Sequence, residues 1–234
     1  NSRTYFQRLI EEGLVLVNGK PIKKSYKPEV NDEIEVQLAL TPELDLIPQD
    51  IPLDIIYEDQ DMLAINKPAG MIVHPGHGNT SGTFANALLF YCKTLETDGS
   101  LRPGIVHRLD KDTSGVLLAA KSLQMHQGLS RLFANRQIQK KYLVICVGKL
   151  PRQGTIHAPI GRHPVYRKKM AVLQEGGKEA ISHYRTISTS KNFSLAEIDI
   201  ETGRTHQIRV HLKHIGCPVA GDSLYGNDSI NRLY

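Results

Sequence analysis

The stretch His107-Arg-Leu-Asp-Lys-Asp-Thr-Ser-Gly115, with the apolar run Val116-Leu-Leu-Ala-Ala120 directly after it, decides the interpretation of this chain. The first part is dense in charge, and the second is typical of a buried strand. Asp and Lys side chains are almost never fully buried unless they are paired. A charged loop that leads into an apolar strand therefore predicts a side chain held at the floor of a cleft, which we take to be Asp110.

We expect the partner of Asp110 in one of two later basic stretches, residues 136–142 and 201–211. In the second stretch Ile208 and Val210 flank Arg209, so Arg209 points away from both under either regular period. An Asp–Arg ion pair keeps the carboxylate ionised, as a nucleophile or a base requires. A purely structural ion pair is the commoner explanation of such a pattern, and the residues alone leave both interpretations open.

Length and composition indicate a globular protein with a mild preference for anionic partners. The chain has 234 residues, of which 40% are hydrophobic and 23% charged, and its formal net charge is +5 at pH 7. This length allows one domain or a large domain with a small appendage. No apolar run approaches the ~20 residues that span a bilayer. The separated cysteines Cys92, Cys146 and Cys217 form no metal-binding pattern and are typical of a reducing compartment. We therefore expect a cytoplasmic protein without membrane association.

Periodicity divides the chain into two parts. Residues 4–12 have helical spacing and end at Gly13, and strands are expected at 14–17, before an Asn-Gly turn, and at 32–38. Residues 41–52 contain three prolines in twelve positions and are interpreted as a linker. The predicted organisation is a small basic unit at 1–40, the linker at 41–52 and a second domain at 53–234.

The second part combines short strands with few helices. We expect strands at 55–57, 62–66, 142–147, 181–187 and 193–200, and helices at 83–91, 122–135 and 206–215. Strands joined by short loops, without regular strand–helix alternation, predict an α+β domain. Its expected architecture is a mainly antiparallel mixed sheet flanked by helices and loops.

Other chemistries fit the sequence less well. The loop 76–82 has its third glycine one place too late for a GxGxxG motif, and no GK[ST] motif is present. The pairs His74/His77 and His211/His214 lack an accompanying Cys or carboxylate at metal-ligand spacing. A hydrolase is a weak alternative because no GxSxG motif occurs. We expect neither a metal ion nor a nucleotide cofactor.

Four motifs occur in order along the chain. They are Ala64-Ile-Asn-Lys-Pro-Ala-Gly, Arg102-Pro-Gly-Ile-Val-His-Arg-Leu-Asp, Gly161-Arg-His-Pro with Arg167-Lys-Lys-Met, and Thr202-Gly-Arg-Thr-His-Gln-Ile-Arg. With these motifs the chain resembles the RluA-type pseudouridine synthases, most closely the RluD-like members that modify large-subunit ribosomal RNA. The resemblance implies a pseudouridine synthase catalytic domain preceded by a small RNA-binding domain of the alpha-L type.

The resemblance also implies an activity, which is the isomerisation of specific uridines to pseudouridine in large-subunit (23S) ribosomal RNA without a cofactor. Asp110 corresponds to the catalytic carboxylate, which attacks the ribose anomeric carbon or the uracil ring, or promotes a glycal-like intermediate. Tyr142 corresponds to the active-site Tyr that stacks on the flipped base, and Arg209 to the Arg that pairs with the catalytic Asp. Arg108 resembles the residue that fills the position vacated by the base.

The residues expected to bind RNA are Arg108, His107, Lys67, Arg204, His206, Lys23 and Lys24. For the two lysines of the first unit, a solvated basic face is an equally good explanation. By the family pattern, the first helix of the RNA-binding motif is expected to be shortened or missing here, and a further helix and strands are expected after Tyr225-Gly226.

The expected partner is ribosomal RNA or a pre-ribosomal particle, and the protein is expected to be a monomer. One alternative is a synthase that acts on transfer RNA or has dual specificity. An alternative of another class is a non-catalytic RNA-binding factor for ribosome assembly.

Overall fold

A computed structural model describes residues 3–38, 46–76, 79–93, 95, 103–226 and 228–232. By its internal contacts the chain divides into two compact units, residues 1–47 and 48–234. The predicted linker at 41–52 lies partly outside the described residues, so the limits 1–40, 41–52 and 53–234 stay a prediction.

The first unit consists of a helix and a small antiparallel sheet. Helix α1 (Arg3–Glu11) is followed by strands β1 (Val15–Val17), β2 (Lys20–Pro21) and β3 (Ile34–Val36), in the order β2-β1-β3. Gly13, with φ of 73°, follows the helix as the sequence predicts. Asn18 and Gly19 both have positive φ, which is what a two-residue hairpin turn requires.

The first part of the second unit contains a three-stranded antiparallel sheet. Strands β4 (Ile55–Glu58), β5 (Met62–Lys67) and β6 (Gly115–Ala120) lie in the order β4-β5-β6, with helix α2 (Phe84–Tyr91) between β5 and β6 in the chain. Alternate residues of β5 and β6, together with Phe84 and Leu88 of α2, belong to one buried cluster. The predicted apolar strand 116–120 is confirmed, and its burial fixes the end of the charged loop that precedes it.

The second part contains a four-stranded antiparallel sheet. After helix α3 (Leu123–Ala134) come strands β7 (Lys141–Val147), β8 (Gln153–His157), β9 (Ile160–Arg162), β10 (Met170–Val172), β11 (Ile181–Thr189) and β12 (Phe193–Ile200). The sheet order is β7-β12-β11-β8, and β9 pairs with β10 as a separate hairpin. Helix α4 (Gln207–His214) packs its Leu212 into the core of this sheet, and the short α5 (Asp228–Asn231) follows.

Helices α2 and α3 begin and end within one residue of the predicted bounds. Thr83 forms a capping box with Asn86 at the start of α2, and the Ser122 side chain caps α3 by accepting a hydrogen bond from the Met125 backbone. The longest of these helices has 12 residues. Over the parts of the chain that the structure describes, no helix has the length and apolar character that a membrane crossing requires.

The α+β prediction is confirmed, with one correction to the expected sheet. The strands form separate antiparallel ladders, and among the described residues the only parallel pairing is an isolated bridge between Ile72 and Thr83. Strands β8, β9 and β10 were not predicted. Each is only three to five residues long, and β8 reads Gln-Gly-Thr-Ile-His, which has almost no apolar alternation.

Candidate active site

A buried lysine holds the loop that carries Asp110. Lys67, at the end of β5, is completely buried, and its ammonium donates hydrogen bonds to the carbonyl oxygens of Pro68 (2.8 Å), Met71 (2.9 Å) and Lys111 (3.0 Å). The Gly70 amide donates to the same Lys111 carbonyl at 2.9 Å. Burial lowers the pKa of Lys67, although the charges of Asp112 and Asp110 oppose this shift. The prediction that Lys67 contacts RNA is wrong, because this side chain is fully enclosed and fixes the loop from below.

His107 ties the other end of this loop to the sheet. Its Nε2 accepts a hydrogen bond of 2.9 Å from the Leu118 amide on β6, and its ring stacks on Phe133 with the ring centroids 4.6 Å apart. Burial, assisted by the charge of Lys140, lowers the pKa of His107 to about 4. The ring is therefore neutral at pH 7, with its proton on Nδ1. RNA contact by His107 stays a prediction, and Nδ1 is the ring nitrogen that the bond to Leu118 leaves for it.

Gly104 allows the chain to enter this loop close to β6. Its φ is +70°, and a Cβ atom on this residue would lie 2.5 Å from the Ala120 carbonyl oxygen. The Gly104 carbonyl accepts a 2.8 Å hydrogen bond from the Ala120 amide. A larger residue would therefore force the two segments apart, and the position of Asp110 with them.

Asp110 and Arg209 form the ion pair that the sequence predicts. The Nη1 atom of Arg209 donates to the Oδ2 atom of Asp110 at 3.0 Å, across 99 positions of sequence. Arg209 lies on α4, and both side chains are about one-fifth exposed, with values of 23% and 18%. The pair thus lies at a surface that a substrate can reach, and it is shielded enough for its charges to interact strongly.

The structure adds a second carboxylate that the sequence analysis missed. Arg209 donates from Nε to Oδ2 of Asp222 at 2.7 Å and from Nη2 to Oδ1 at 3.0 Å, which is a bidentate pair. The Asp222 side chain is only 3% exposed, and its Oδ1 also accepts from the amides of Leu224 and Tyr225. Burial opposes the ionisation of Asp222, but these hydrogen bonds outweigh it and lower its pKa.

His206 and Tyr225 complete the immediate surroundings of the ion pair. The Tyr225 hydroxyl accepts from the Met170 amide at 2.7 Å and lies 2.7 Å from Nδ1 of His206, while its ring lies 5.0 Å from the Arg209 guanidinium carbon. The Nε2 atom of His206 lies 3.9 Å from Oδ2 of Asp110. Burial lowers the pKa of His206 more than the charge of Asp110 raises it, so the ring is neutral at pH 7.

Tyr142 lies near the same carboxylate. It is the second residue of β7, pairs with Ile198 on β12, and packs its partly buried side chain against the core of the β4-β5-β6 sheet. Burial raises the pKa of the Tyr142 phenol, and the negative charge of Asp110 raises it further. The phenol is therefore protonated at neutral pH and can donate a proton but cannot act as a base.

The remaining residues predicted to bind RNA are divided between the two units. Arg108 is exposed, and its charge acts on His206. Arg204 donates from Nε to the Glu179 carbonyl at 2.9 Å and is partly exposed. Lys23 and Lys24 are exposed in the first unit, where Lys24 forms an ion pair with Glu11. The structure thus brings Asp110, Arg209, His206 and Arg108 together, whereas Lys67 is internal.

A cationic hairpin, defined as residues 162–169 from the last residue of β9 to the residue before β10, begins beside this site. It contains Arg162, Arg167, Lys168 and Lys169, and the sequence has no acidic residue from 160 to 174. The hairpin is internally ordered, since the His163 ring accepts from the Val165 and Tyr166 amides and Arg162 donates to the Arg167 carbonyl at 2.8 Å. Tyr166, in the turn of the hairpin, is 62% exposed. The bond between the Met170 amide and Tyr225 connects the base of the hairpin to the Arg209 environment.

Metal ligands are not assembled in this region. Among the described residues, no group of three or more His, Cys, Asp or Glu side chains is placed to hold a metal ion. The chemistry that the site itself supplies is that of an ionised carboxylate beside a fixed guanidinium, a neutral imidazole and a protonated phenol.

Comparison with known families identifies the class of protein that has this fold and site. Residues 61–214 match the family model described as RNA pseudouridylate synthase, and residues 1–34 match the S4 domain. The chain therefore belongs to the RNA pseudouridylate synthase family and is an RNA pseudouridine synthase, an isomerase. The family resemblance seen in the sequence, with its amino-terminal RNA-binding unit, is confirmed.

Individual relatives agree with this assignment. The chain is 44% identical over 227 residues to an uncharacterized RNA pseudouridine synthase, YlyB, of Bacillus subtilis, covering 96% of this chain and 75% of the relative. It is 45% identical over 230 residues to the ribosomal large subunit pseudouridine synthase D of Zymomonas mobilis, covering 96% of this chain and 73% of the relative. Among solved structures it is similar to human RNA pseudouridylate synthase domain containing 1, with a TM-score of 0.62 at 26% identity over 77% of this chain and 72% of the human one.

Proposed function

We propose that this protein isomerises specific uridines to pseudouridine in large-subunit ribosomal RNA, free or within a pre-ribosomal particle, and that it acts as a cytoplasmic monomer. The observation that carries the catalytic part is the Asp110–Arg209 pair, in which a partly exposed carboxylate is held by a fixed guanidinium. The substrate part is supported by relatives at 44–45% identity that are named ribosomal large subunit pseudouridine synthase D.

The reaction breaks the N-glycosidic bond of uridine and joins C5 of the uracil to the ribose, while C5 loses a proton and N1 gains one. In our proposal Asp110 is the catalytic carboxylate, by attack on the anomeric carbon or on the uracil ring, or by promoting a glycal-like intermediate. Arg209 holds Asp110 in place through the bond from its Nη1 atom. The protonated Tyr142 lies in the electrostatic field of Asp110 and is suited to stack on the base and to donate a proton.

Access to the target requires the uridine to leave its stack, because its glycosidic bond is otherwise enclosed in the RNA. We assign to the exposed Arg108 the role of filling the vacated position, since a planar guanidinium can imitate the hydrogen-bonding edge of a base. Arg204, His206, the cationic hairpin and, in the first unit, Lys23 and Lys24 would supply contacts to the RNA backbone.

The central test is the substitution Asp110→Asn, which removes the charge and keeps the shape. Pseudouridine formation on large-subunit RNA transcripts should fall below detection, because a neutral amide is neither a nucleophile nor a base. RNA affinity should stay within a few-fold of the wild type. Turnover near the wild-type rate would contradict the assignment of Asp110, and release of free uracil would indicate a hydrolase.

The substrate is tested by mapping pseudouridines in a deletion strain. The strain is complemented with either the wild-type gene or the Asp110→Asn gene. We expect sites in large-subunit ribosomal RNA that only the wild type restores. Restored sites in transfer RNA would instead support the transfer-RNA alternative. Equal growth and ribosome assembly with both genes, but not without them, would support an additional non-catalytic role.

A further inference from the structure

We propose that Asp222 is a positioning residue of the reaction, which aims one arm of the Arg209 guanidinium at Asp110 and keeps Arg209 from enclosing that carboxylate. The proposal rests on the function assigned above and extends it to a residue outside the four family motifs. The Asp222 side chain is almost completely buried and is paired with Arg209, so its effect on the reaction would pass through the arginine.

The geometry of Arg209 carries the first step of the argument. Asp222 takes the Nε and Nη2 groups, at 2.7 and 3.0 Å, and only Nη1 reaches Asp110, at 3.0 Å. A guanidinium is a rigid planar fork, so the bidentate bond to Asp222 fixes the direction of the third arm. The Tyr225 ring, 5.0 Å from the guanidinium carbon, restricts the fork further.

Asp222 is itself fixed from several sides. Its Oδ1 accepts from the amides of Leu224 and Tyr225 at 2.8 and 2.9 Å, and its side chain is 3% exposed. Its backbone carbonyl accepts from the Asn231 side chain at 3.0 Å. A charged group held so firmly, and shielded from water, is an accurate reference point for Arg209.

The charges carry the second step. Two carboxylates share one guanidinium, so the three groups have a net charge of minus one. The negative charge of Asp222 thereby offsets part of the positive potential that Arg209 would otherwise exert on Asp110. In its absence Arg209 is free to bond both oxygens of Asp110, which would make the carboxylate a weaker nucleophile and obstruct its approach to the substrate.

The test compares Asp222→Asn with the wild type under single-turnover conditions with saturating enzyme. Asn keeps the shape and can still accept from the Leu224 and Tyr225 amides, but one of its groups becomes a donor facing Arg209. We expect the rate to fall roughly 10- to 100-fold with RNA affinity unchanged, since small displacements at a reacting centre have effects of this size.

A double-mutant cycle with Arg209→Lys shows whether Asp222 acts through the arginine. Lysine keeps the charge and removes the fork, so the Asp222→Asn/Arg209→Lys variant should be no slower than Arg209→Lys alone. Multiplicative losses in the double variant, or a wild-type rate for Asp222→Asn, would overturn the proposal. If Asp222→Asn does not fold, Arg209→Lys decides the question: a wild-type rate would show that the fork is not needed.

Two reference proteins separate this proposal from the function on which it rests. Glu58→Gln removes a carboxylate paired with Lys121 at 2.8 Å, at the end of the β4-β5 pair opposite Lys67, and should leave the rate unchanged. Asp110→Asn should be inactive. An inactive wild type would overturn both proposals, whereas an active wild type, an inactive Asp110→Asn and an unaffected Asp222→Asn would overturn this one alone.

Discussion

His107 shows how a single residue links the loop that carries Asp110 to the stability of the sheet. Its Nε2 satisfies the Leu118 amide of β6, and this bond exists only while that nitrogen carries no proton. Burial lowers the pKa of His107 from 6.5 to about 4. Between these values the unfolded chain takes up a proton that the folded protein does not, so stability falls as the pH drops below 6.5 and levels off near 4.

We therefore expect His107→Gln to reduce the acid sensitivity of the protein. The Gln side-chain oxygen can accept from the Leu118 amide without titrating. Between pH 7 and pH 5 the wild type should lose about 2 kcal/mol more free energy of unfolding than the variant. Urea unfolding at both pH values measures this difference. Equal losses in the two proteins would show that His107 is as easily protonated in the folded state as in the unfolded chain.

At the residue scale, the sequence identified Asp110 and Arg209 but not Asp222. Asp110 was found because its loop is dense in charge next to an apolar strand, and Arg209 because it lies between apolar neighbours in a basic segment. Asp222 follows a glycine in a turn-rich segment, where Asp is common for local reasons. One signal could have pointed to Asp222: it lies three residues before Tyr225-Gly226, which the family resemblance already included.

At the element scale, the long periodic elements were predicted and the short ones were not. Strands β7, β11 and β12 and helices α2 and α3 were placed within about two residues, since each has clear periodicity or a capping residue. The β9-β10 hairpin escaped prediction because a strand of three residues has too few positions to show alternation. Its tertiary contacts stabilise it, among them the bond from the Met170 amide to Tyr225.

The cationic hairpin leads to a prediction about RNA binding. Arg167→Ala/Lys168→Ala should weaken RNA affinity. It should also make the dependence of log K on log salt shallower by roughly one unit or more, because fewer counterions are released on binding when phosphate contacts are lost. The single-turnover rate at saturating enzyme should stay at the wild-type value, since neither side chain contacts Asp110. Filter binding at several salt concentrations measures the first effect.

A matched control removes two exposed cations from the opposite end of the four-stranded sheet. Lys149 follows β7 and Lys191 lies in the turn between β11 and β12, and the pairing of Phe193 with Val147 places both far from Tyr142. Lys149→Ala/Lys191→Ala lowers the net charge by the same amount. If this control changes the salt dependence as much as the hairpin variant does, the effect is one of overall charge and the hairpin has no specific contact.

At the scale of the whole molecule, the first unit raises the question of whether its basic face contributes to binding. Lys23→Ala/Lys24→Ala should weaken RNA binding. The affinity of this variant should also fall less steeply with added salt than the affinity of the wild type. The larger share should come from Lys23, because Lys24 is already paired with Glu11. Affinity equal to that of the wild type would favour a solvated face. Asp110→Asn, which should bind normally, is the reference for an intact fold.

The sequence by itself determined the family and the α+β class, and it indicated the Asp110–Arg209 ion pair, because these depend on local signals: motif spacing, periodicity and capping residues. Only the tertiary structure decided which ionisable side chains can reach a substrate and which are taken up by internal contacts. It buried Lys67 beneath the Asp110 loop, made His107 an internal acceptor and placed Asp222 behind Arg209. The physical reason is that the free energy of a charged group depends on its burial and on partners distant in sequence, and both are set only when the chain has packed.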